Sequence, residues 1–240
     1  MPDISKTYTQ HHIATRSATV AHFMSKVYLW MMCGLVLSAA TAYYIYSQPA
    51  LFNTILTHRG LFFGLIIAQI AAVVVLSWLN QRLNATLATL IYLLYTVLTG
   101  VTLSVILYAY TQQSITLAFA VTASAFFALS LFGYMTKKDL GPIGTFCMMG
   151  LFGMLILMGL SFFISSLRVD TMQLTISSIG VLVFSGLTAY NTQKIKTIYL
   201  QTDGMSRAQE SKFAIHGALN LYLDFINLFL SVLRLFGDRR

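Results

Sequence analysis

The stretch Leu219-Asn-Leu-Tyr-Leu-Asp-Phe-Ile-Asn-Leu-Phe-Leu-Ser-Val-Leu-Arg-Leu-Phe236 decides how this chain must be read. Its length falls within the roughly 17–25 residues that a membrane-crossing helix needs, yet Asp224 sits in its middle. The other six acids (Asp3, Asp139, Asp170, Asp203, Glu210, Asp238) fall in the tails or between apolar segments, so Asp224 is the only carboxylate inside one. A lone carboxylate at membrane depth costs roughly 2.5–3.5 kcal/mol even on the lenient insertion scale. An intramembrane acid is a functional-site candidate by default, and the question is what it works with.

The composition bounds the answer. With 57% hydrophobic and 9% charged residues and a mean hydropathy of +0.74, the chain is not an ordinary soluble domain. A polytopic all-α membrane protein follows, and 240 residues limit it to one bundle of about six to eight helices. Residues 1–24 are polar, carry His11, His12 and Arg16, and lack the apolar core of a signal peptide; they read as a cytoplasmic tail. Residues 25–237 form the membrane domain and 238–240 a short C-terminal tail. Cys33 and Cys147 lie inside apolar runs and read as packing residues rather than a disulfide or metal pair. The net charge of +8 comes from short loops between spans, so topology explains it better than nucleic acid does.

Seven apolar segments can be drawn: Lys26–Tyr46, Gly60–Leu79, Ala85–Tyr110, Ile115–Met135, Ile143–Ser166, Met172–Tyr190 and Phe213–Phe236. Between them lie Gln48-Pro49, Asn80-Gln81-Arg82, Gln112-Gln113, the run Lys137 to Pro142 and the 195–212 connection. With the N-terminus inside, ten Lys and Arg fall on the inner side and five on the outer, the orientation that the positive-inside rule favours. An odd number of spans then puts the C-terminus outside. Arg239-Arg240 argues mildly against this, and a re-entrant last helix would return the tail inside.

In the last segment Asn220, Asp224, Asn227, Ser231 and Arg234 are spaced +4, +3, +4, +3, one narrow helical stripe that His216 and Gly217 extend towards the start. Ser178, Ser185, Thr188 and Asn191 or Thr192 lie roughly on one face of the sixth. Such a stripe faces the bundle interior or a watery path. Helix–helix hydrogen bonding accounts better for the Ser and Thr positions than for Asp224.

Gly186-Leu-Thr-Ala-Tyr-Asn-Thr-Gln-Lys-Ile-Lys196 followed by Leu221-Tyr-Leu-Asp-Phe-Ile-Asn-Leu-Phe229 and the residues to Gly237 resembles the signature of the Bax inhibitor-1 (transmembrane Bax inhibitor motif) family. Thr99-Gly-Val-Thr-Leu-Ser104 and Thr136-Lys-Lys-Asp-Leu140 agree with it, so the resemblance covers essentially the whole chain in order. It implies a seven-transmembrane-helix bundle with the C-terminal helix central, wrapped by the other six. It further implies, as in some members, a pH-controlled calcium leak in which aspartates on the sixth and seventh helices share a proton. A basic residue at the inner end of the second helix helps set the path closed or open. Bacterial relatives are also associated with a membrane AAA protease, FtsH. The short tail and tight loops fit a bacterial inner-membrane member.

Carried over by position, the seventh-helix aspartate is Asp224, while the sixth-helix position holds Asn191. The latch position two residues after Trp78 is Asn80, with Arg82 two further on; Val105 stands where a proline is frequent, and Arg234 matches a basic position. Two close carboxylates titrate as a coupled pair, whereas an amide cannot titrate. The resemblance together with Asn191 therefore predicts slow cation (Ca2+) flux past Asp224, a weak and transient calcium site, and weakened proton gating. No cofactor is implied. Expected partners are the lipid bilayer, Ca2+ or other cations, and a membrane AAA protease.

Other chemistries fit less well. A membrane metal hydrolase needs clustered His, Asp and Glu, and only His216 lies near a span, without an intramembrane Glu. A serine intramembrane protease would need His216 to meet Ser177, Ser178 or Ser185, and no Gly-x-Ser-x-Gly elbow is present. The chain reads as a non-enzyme. A proton-coupled transporter could use Asp224, although no inverted repeat is visible. The strongest rival is a non-transporting regulator that binds a membrane protease or another membrane partner.

Overall fold

In lipid every backbone N–H and C=O needs an internal partner, so apolar segments of this length become helices. The computed structural model describes residues 4–78, 84–161, 170–202 and 206–240. Eight helices run through them: α1 (Ile4–Tyr46), α2 (Pro49–Thr57), α3 (Arg59–Trp78), α4 (Ala85–Ala109), α5 (Gln112–Met135), α6 (Gly141–Ser161), α7 (Asp170–Gln201) and α8 (Arg207–Phe236). Six are long and apolar enough to cross a membrane, namely α1 from Thr19 onward and α4 to α8. α3, 20 residues from Arg59 to Trp78, is apolar over most of its length as well. The chain is thus a polytopic helical membrane bundle.

α8 is the central helix. Within its apolar window 61% of the residues are buried, against 17–39% for the other five long helices. It packs chiefly against α1, α4, α5 and α7, while α3 rests on α4 and α6 on α7. The wrapping is therefore two-layered: four helices touch the centre closely, and α2, α3 and α6 lie outside them. Small residues permit the closest approaches. A Cβ added at Gly100 of α4 would lie 2.6 Å from Ser38 O of α1, and one at Gly133 of α5 would collide with the carbonyl of Ala189 on α7. On the lipid side Leu29, Phe127, Phe146, Met149 and Leu182 are exposed, as a bilayer solvent allows.

Three of the boundaries that differ from the sequence expectation have a visible cause. Gln48-Pro49 does not open a plain loop: Pro49 starts α2, a position where its missing N–H costs nothing. The sixth expected segment does not stop at Tyr190, because α7 continues to Gln201 with its lysines inside the helix. Lys196 Nζ donates to Tyr134 O at 2.8 Å and lies 4.7 Å from the Tyr134 ring centre, while Lys194 Nζ lies 5.5 Å from that of Tyr190. These contacts let both stems follow apolar surface while the charges find partners. The last helix begins at Arg207, ahead of Phe213, because Ser206 and Gln209 form a reciprocal capping box there.

α8 is continuous, so it is not a re-entrant hairpin, and its tail emerges at the end opposite Arg207. There the tail is stitched to the α4–α5 connection. Thr111 N donates to Asp238 O at 3.1 Å, Arg240 N to Ala109 O at 3.0 Å, and Asp238 N to Ser114 Oγ at 3.0 Å. Arg240 Nη1 also reaches Tyr46 OH at 3.3 Å.

Candidate functional site

Asp224 is 4% exposed, in the middle of the central helix. Its described hydrogen-bond partner is Asn191, whose Nδ2 donates to Asp224 Oδ2 at 2.7 Å. The bond joins α7 to α8. Cys147 of α6 lies within electrostatic range of Asp224 and fills the space beside Gly186 of α7. Cys33, by contrast, is exposed on α1, and both cysteines are free.

The polar stripe of α8 divides in two. Asp224 and Ser231 turn inward, and Ser231 sits where a Cβ at Gly180 of α7 would lie only 2.5 Å from its Oγ. Beside them His216, Asn220, Leu223, Asn227, Leu230 and Arg234 are all half-buried, spaced 4, 3, 4, 3, 4 along one edge of the helix. This edge is a seam that the surrounding helices do not fully cover. Asn227 Nδ2 donates to Leu223 O at 2.8 Å and Ser231 Oγ to Asn227 O at 2.7 Å, so both answer to their own helix. Arg234 forms no hydrogen bond or ion pair among the described residues, and its charge lies near Tyr110 and Arg239.

On α7, Thr188 and Thr192 are buried and donate to the carbonyls one turn back, at 2.7 and 2.8 Å. They act as packing hydroxyls, with Thr192 also 3.4 Å from Ser130 Oγ of α5. Ser178 is exposed and does not join the inner face, because the helix turns it towards lipid. Asn80 and Arg82, the expected latch positions, lie outside the described residues.

Sequence reasoning missed the other side of α8. Tyr222 OH lies 2.6 Å from Ser38 Oγ of α1, which in turn donates to Thr96 O of α4 at 2.7 Å. The Tyr222 ring packs edge-on against Tyr92 and Tyr95. On α5 the buried residues Ser114, Ala118, Thr122, Phe126 and Ser130 recur every fourth position, a periodicity that could have marked its inner face. Thr122 Oγ1 is the one buried side-chain polar atom without a partner among the described residues.

Chemically, the pair offers one carboxylate and one amide. Asn191 presents its nitrogen to Asp224, so accepting a cation through its carbonyl oxygen requires the amide to rotate and the 2.7 Å bond to break. Calcium takes six to eight oxygens, far more than one carboxylate and one amide supply. Among the described residues no three His, Cys, Asp or Glu gather as a metal cluster.

Comparison with known proteins agrees with this architecture. The family profile described as "Inhibitor of apoptosis-promoting Bax1" matches residues 20–240. The chain is 45% identical over 218 residues to "Inner membrane protein YbhL" of Escherichia coli (strain K12), covering 91% of this chain and 92% of that protein. It is 40% identical over 220 residues to an uncharacterized protein of Deinococcus radiodurans, covering 92% of each. Another from Borreliella burgdorferi is 38% identical over 220 residues, 91% of this chain and 92% of its own length. A match of this extent, on a bundle whose central helix carries the signature aspartate, makes this chain a member of the Bax inhibitor-1 family.

Proposed function

We propose that the protein is a multi-pass component of a bacterial inner membrane, N-terminus cytoplasmic, that lets cations, Ca2+ foremost, pass slowly along the α8 seam at Asp224. The observation that carries this reading is the Asn191–Asp224 bond beside a half-buried polar edge, because a carboxylate held only for packing has no need of an incompletely covered seam. Asp224 supplies the charge that makes a cation's stay tolerable, and Asn191 trades its bond to the carboxylate for one to the ion. Arg234, further along the same edge, opposes cations electrostatically and keeps the flux slow. Asn80 or Arg82 takes the latch role. Since Asn191 cannot titrate, proton gating is weak. The test is calcium-dye flux in liposomes holding purified protein: Asp224→Asn abolishes it while the protein stays folded and monodisperse. Unchanged flux in that variant would reduce Asp224 to a packing residue.

A second reading, a regulator of a membrane AAA protease or another membrane partner, is favoured by α1. This helix begins at Ile4, well ahead of the apolar run Lys26–Tyr46, which leaves a polar helical extension for a partner to grip. Stoichiometric capture of such a protease in mild detergent, lost when residues 1–18 are removed and accompanied by no flux, is the outcome that selects this reading.

A further inference from the structure

A cavity of about 40 Å3 lies where α1, α7 and α8 converge, lined among others by Phe23, Lys194, Tyr199, Phe213, His216 and Asn220. Gly217 makes the convergence possible: a Cβ there would lie 3.3 Å from both Val27 of α1 and Ile195 of α7. The cavity straddles the border between the polar and the apolar part of α8. The polar run Arg207 to Lys212 precedes it, and Phe213, which opens the apolar run, is already in its wall. Tyr199 stacks on Phe23, with ring centres 4.2 Å apart and planes within 11°. Amphipathic aromatic rings such as that of Tyr199 gather at the headgroup level of a bilayer.

The wall is cationic. Lys194 is the charged residue of the lining, it is exposed, and no carboxylate lines the cavity with it among the described residues. Its Nζ lies 5.5 Å from the centre of the Tyr190 ring, a contact that takes up no hydrogen bond. Glu210, the acid in the first turn of α8, is engaged instead with Lys26 of α1 at 3.4 Å. Lys212, four residues before His216, adds a second cation on the same face of α8, one turn nearer its start. Two neutral donors complete the set. Asn220 Nδ2 lies 3.5 Å from His216 Nδ1. In the neutral ring that nitrogen accepts and Nε2 carries the proton, so each side chain keeps an N–H for a ligand.

We propose that this cavity binds the phosphate of an anionic phospholipid, with phosphatidylglycerol as the simplest member of that class. An ammonium, an imidazole N–H and an amide N–H around one space suit an anion with several acceptor oxygens. One water needs roughly 10–15 Å3, so the cavity has room for about three, comparable to the unesterified oxygens of a phosphodiester with their phosphorus. Lys194 Nζ leaves the Tyr190 ring to pair with the phosphate, and His216 and Asn220 donate to its oxygens. The glycerol and acyl chains run outward into the bilayer. A zwitterionic headgroup would bring its own ammonium beside Lys194 and is repelled. Basic pockets between membrane helices at headgroup level are suited to such lipids. The proposal asks nothing of Asp224 and stands apart from the cation path.

For the test, full-length protein in a neutral detergent is titrated with phosphatidylglycerol, phosphatidylcholine or inorganic phosphate. Native mass spectrometry reads the bound fraction. Phosphatidylglycerol binds at least about fivefold more tightly than phosphatidylcholine. Lys194→Gln loses about fivefold in that affinity, the effect of one lysine beside an anionic headgroup. Lys194→Arg restores it, and His216→Leu also weakens it. Lys137→Gln changes an exposed lysine of the α5–α6 connection, outside the cavity, and leaves the affinity unaltered. Unchanged binding in both Lys194→Gln and His216→Leu overturns the proposal. Equal losses in Lys137→Gln and Lys194→Gln overturn it too, because diffuse charge then attracts the lipid. Phosphatidylcholine bound as tightly as phosphatidylglycerol has the same consequence. So does inorganic phosphate that phosphatidylglycerol fails to displace, which would make free phosphate the ligand.

Discussion

The hydroxyls of Ser38 and Tyr222 lie 2.6 Å apart and tie α1 to the central helix, with α4 drawn in through the bond from Ser38 Oγ to Thr96 O. Ser38 has one hydroxyl proton and gives it to the carbonyl, so Tyr222 is the donor in the shorter contact. Tyr222→Phe keeps the edge-on packing against Tyr92 and Tyr95 and loses one bond. It lowers stability by about 0.6 kcal/mol, the usual worth of an interhelical bond in a membrane. Ser38→Ala loses both links and costs about 1–3 kcal/mol. Equilibrium unfolding in mixed micelles checks the order; equal losses for the two variants would contradict it.

Gly133 and Gly153 separate close helix packing from open lipid. A methyl at Gly133 collides with the Ala189 backbone of α7, whereas one at Gly153 of α6 meets nothing within 4 Å. Gly133→Ala forces α5 from α7 and destabilises by about 1–3 kcal/mol. Gly153→Ala is neutral or stabilises by up to about 1 kcal/mol, since glycine in a helix interior is the poorer residue. Thermal denaturation in detergent reads both; a destabilised Gly153→Ala would mean that this face of α6 is covered by something other than lipid.

Hydropathy alone made the bundle legible, because bilayer length and the need to satisfy the backbone leave helices as the only answer for such runs. It did not reveal α2, where Pro49 looks like a breaker and is an N-terminal residue of a short helix. Nor did it give the ends of α7 and α8, since Lys194 and Lys196 read as loop charges until their contacts with Tyr190 and Tyr134 are seen. At the site, the +4, +3 spacing identified the polar side of α8, but not that Asp224 and Ser231 turn inward while Asn220, Asn227 and Arg234 stay half-buried. The pairing of Asn191 with Asp224 came from family resemblance, since no local pattern links residues on different helices. Ser38 and Tyr222 are separated by 184 positions, and nothing in either neighbourhood points to the other.

The C-terminal tail closes its end of the bundle through its backbone as well as through its arginine side chains. Removing residues 238–240 frees Thr111 N, Ala109 O and Ser114 Oγ from their partners. Amide exchange at Thr111 then accelerates by at least about tenfold, corresponding to about 1.4 kcal/mol of lost protection. The α7–α8 contact at Asp224 stays protected. Hydrogen–deuterium exchange by mass spectrometry on reconstituted protein distinguishes this from general loosening, in which the whole of α8 would exchange faster.

Asn191→Asp rebuilds a two-carboxylate site at a place where the side chains already approach within 2.7 Å. Two acids at that distance share a proton instead of both ionising, and the pair answers pH as a unit. At low pH the shared proton replaces the amide's donation, so the contact between α7 and α8 survives. As pH rises the pair loses that proton, the two charges repel, and the seam opens. Calcium flux in the variant therefore rises more steeply with pH across about pH 5–8 than in the wild type, where Asn191 donates whatever the pH. Dye-loaded liposomes, titrated in parallel, read the two slopes. A wild type already as steep as the variant would show that proton sensing here does not depend on a second carboxylate at position 191.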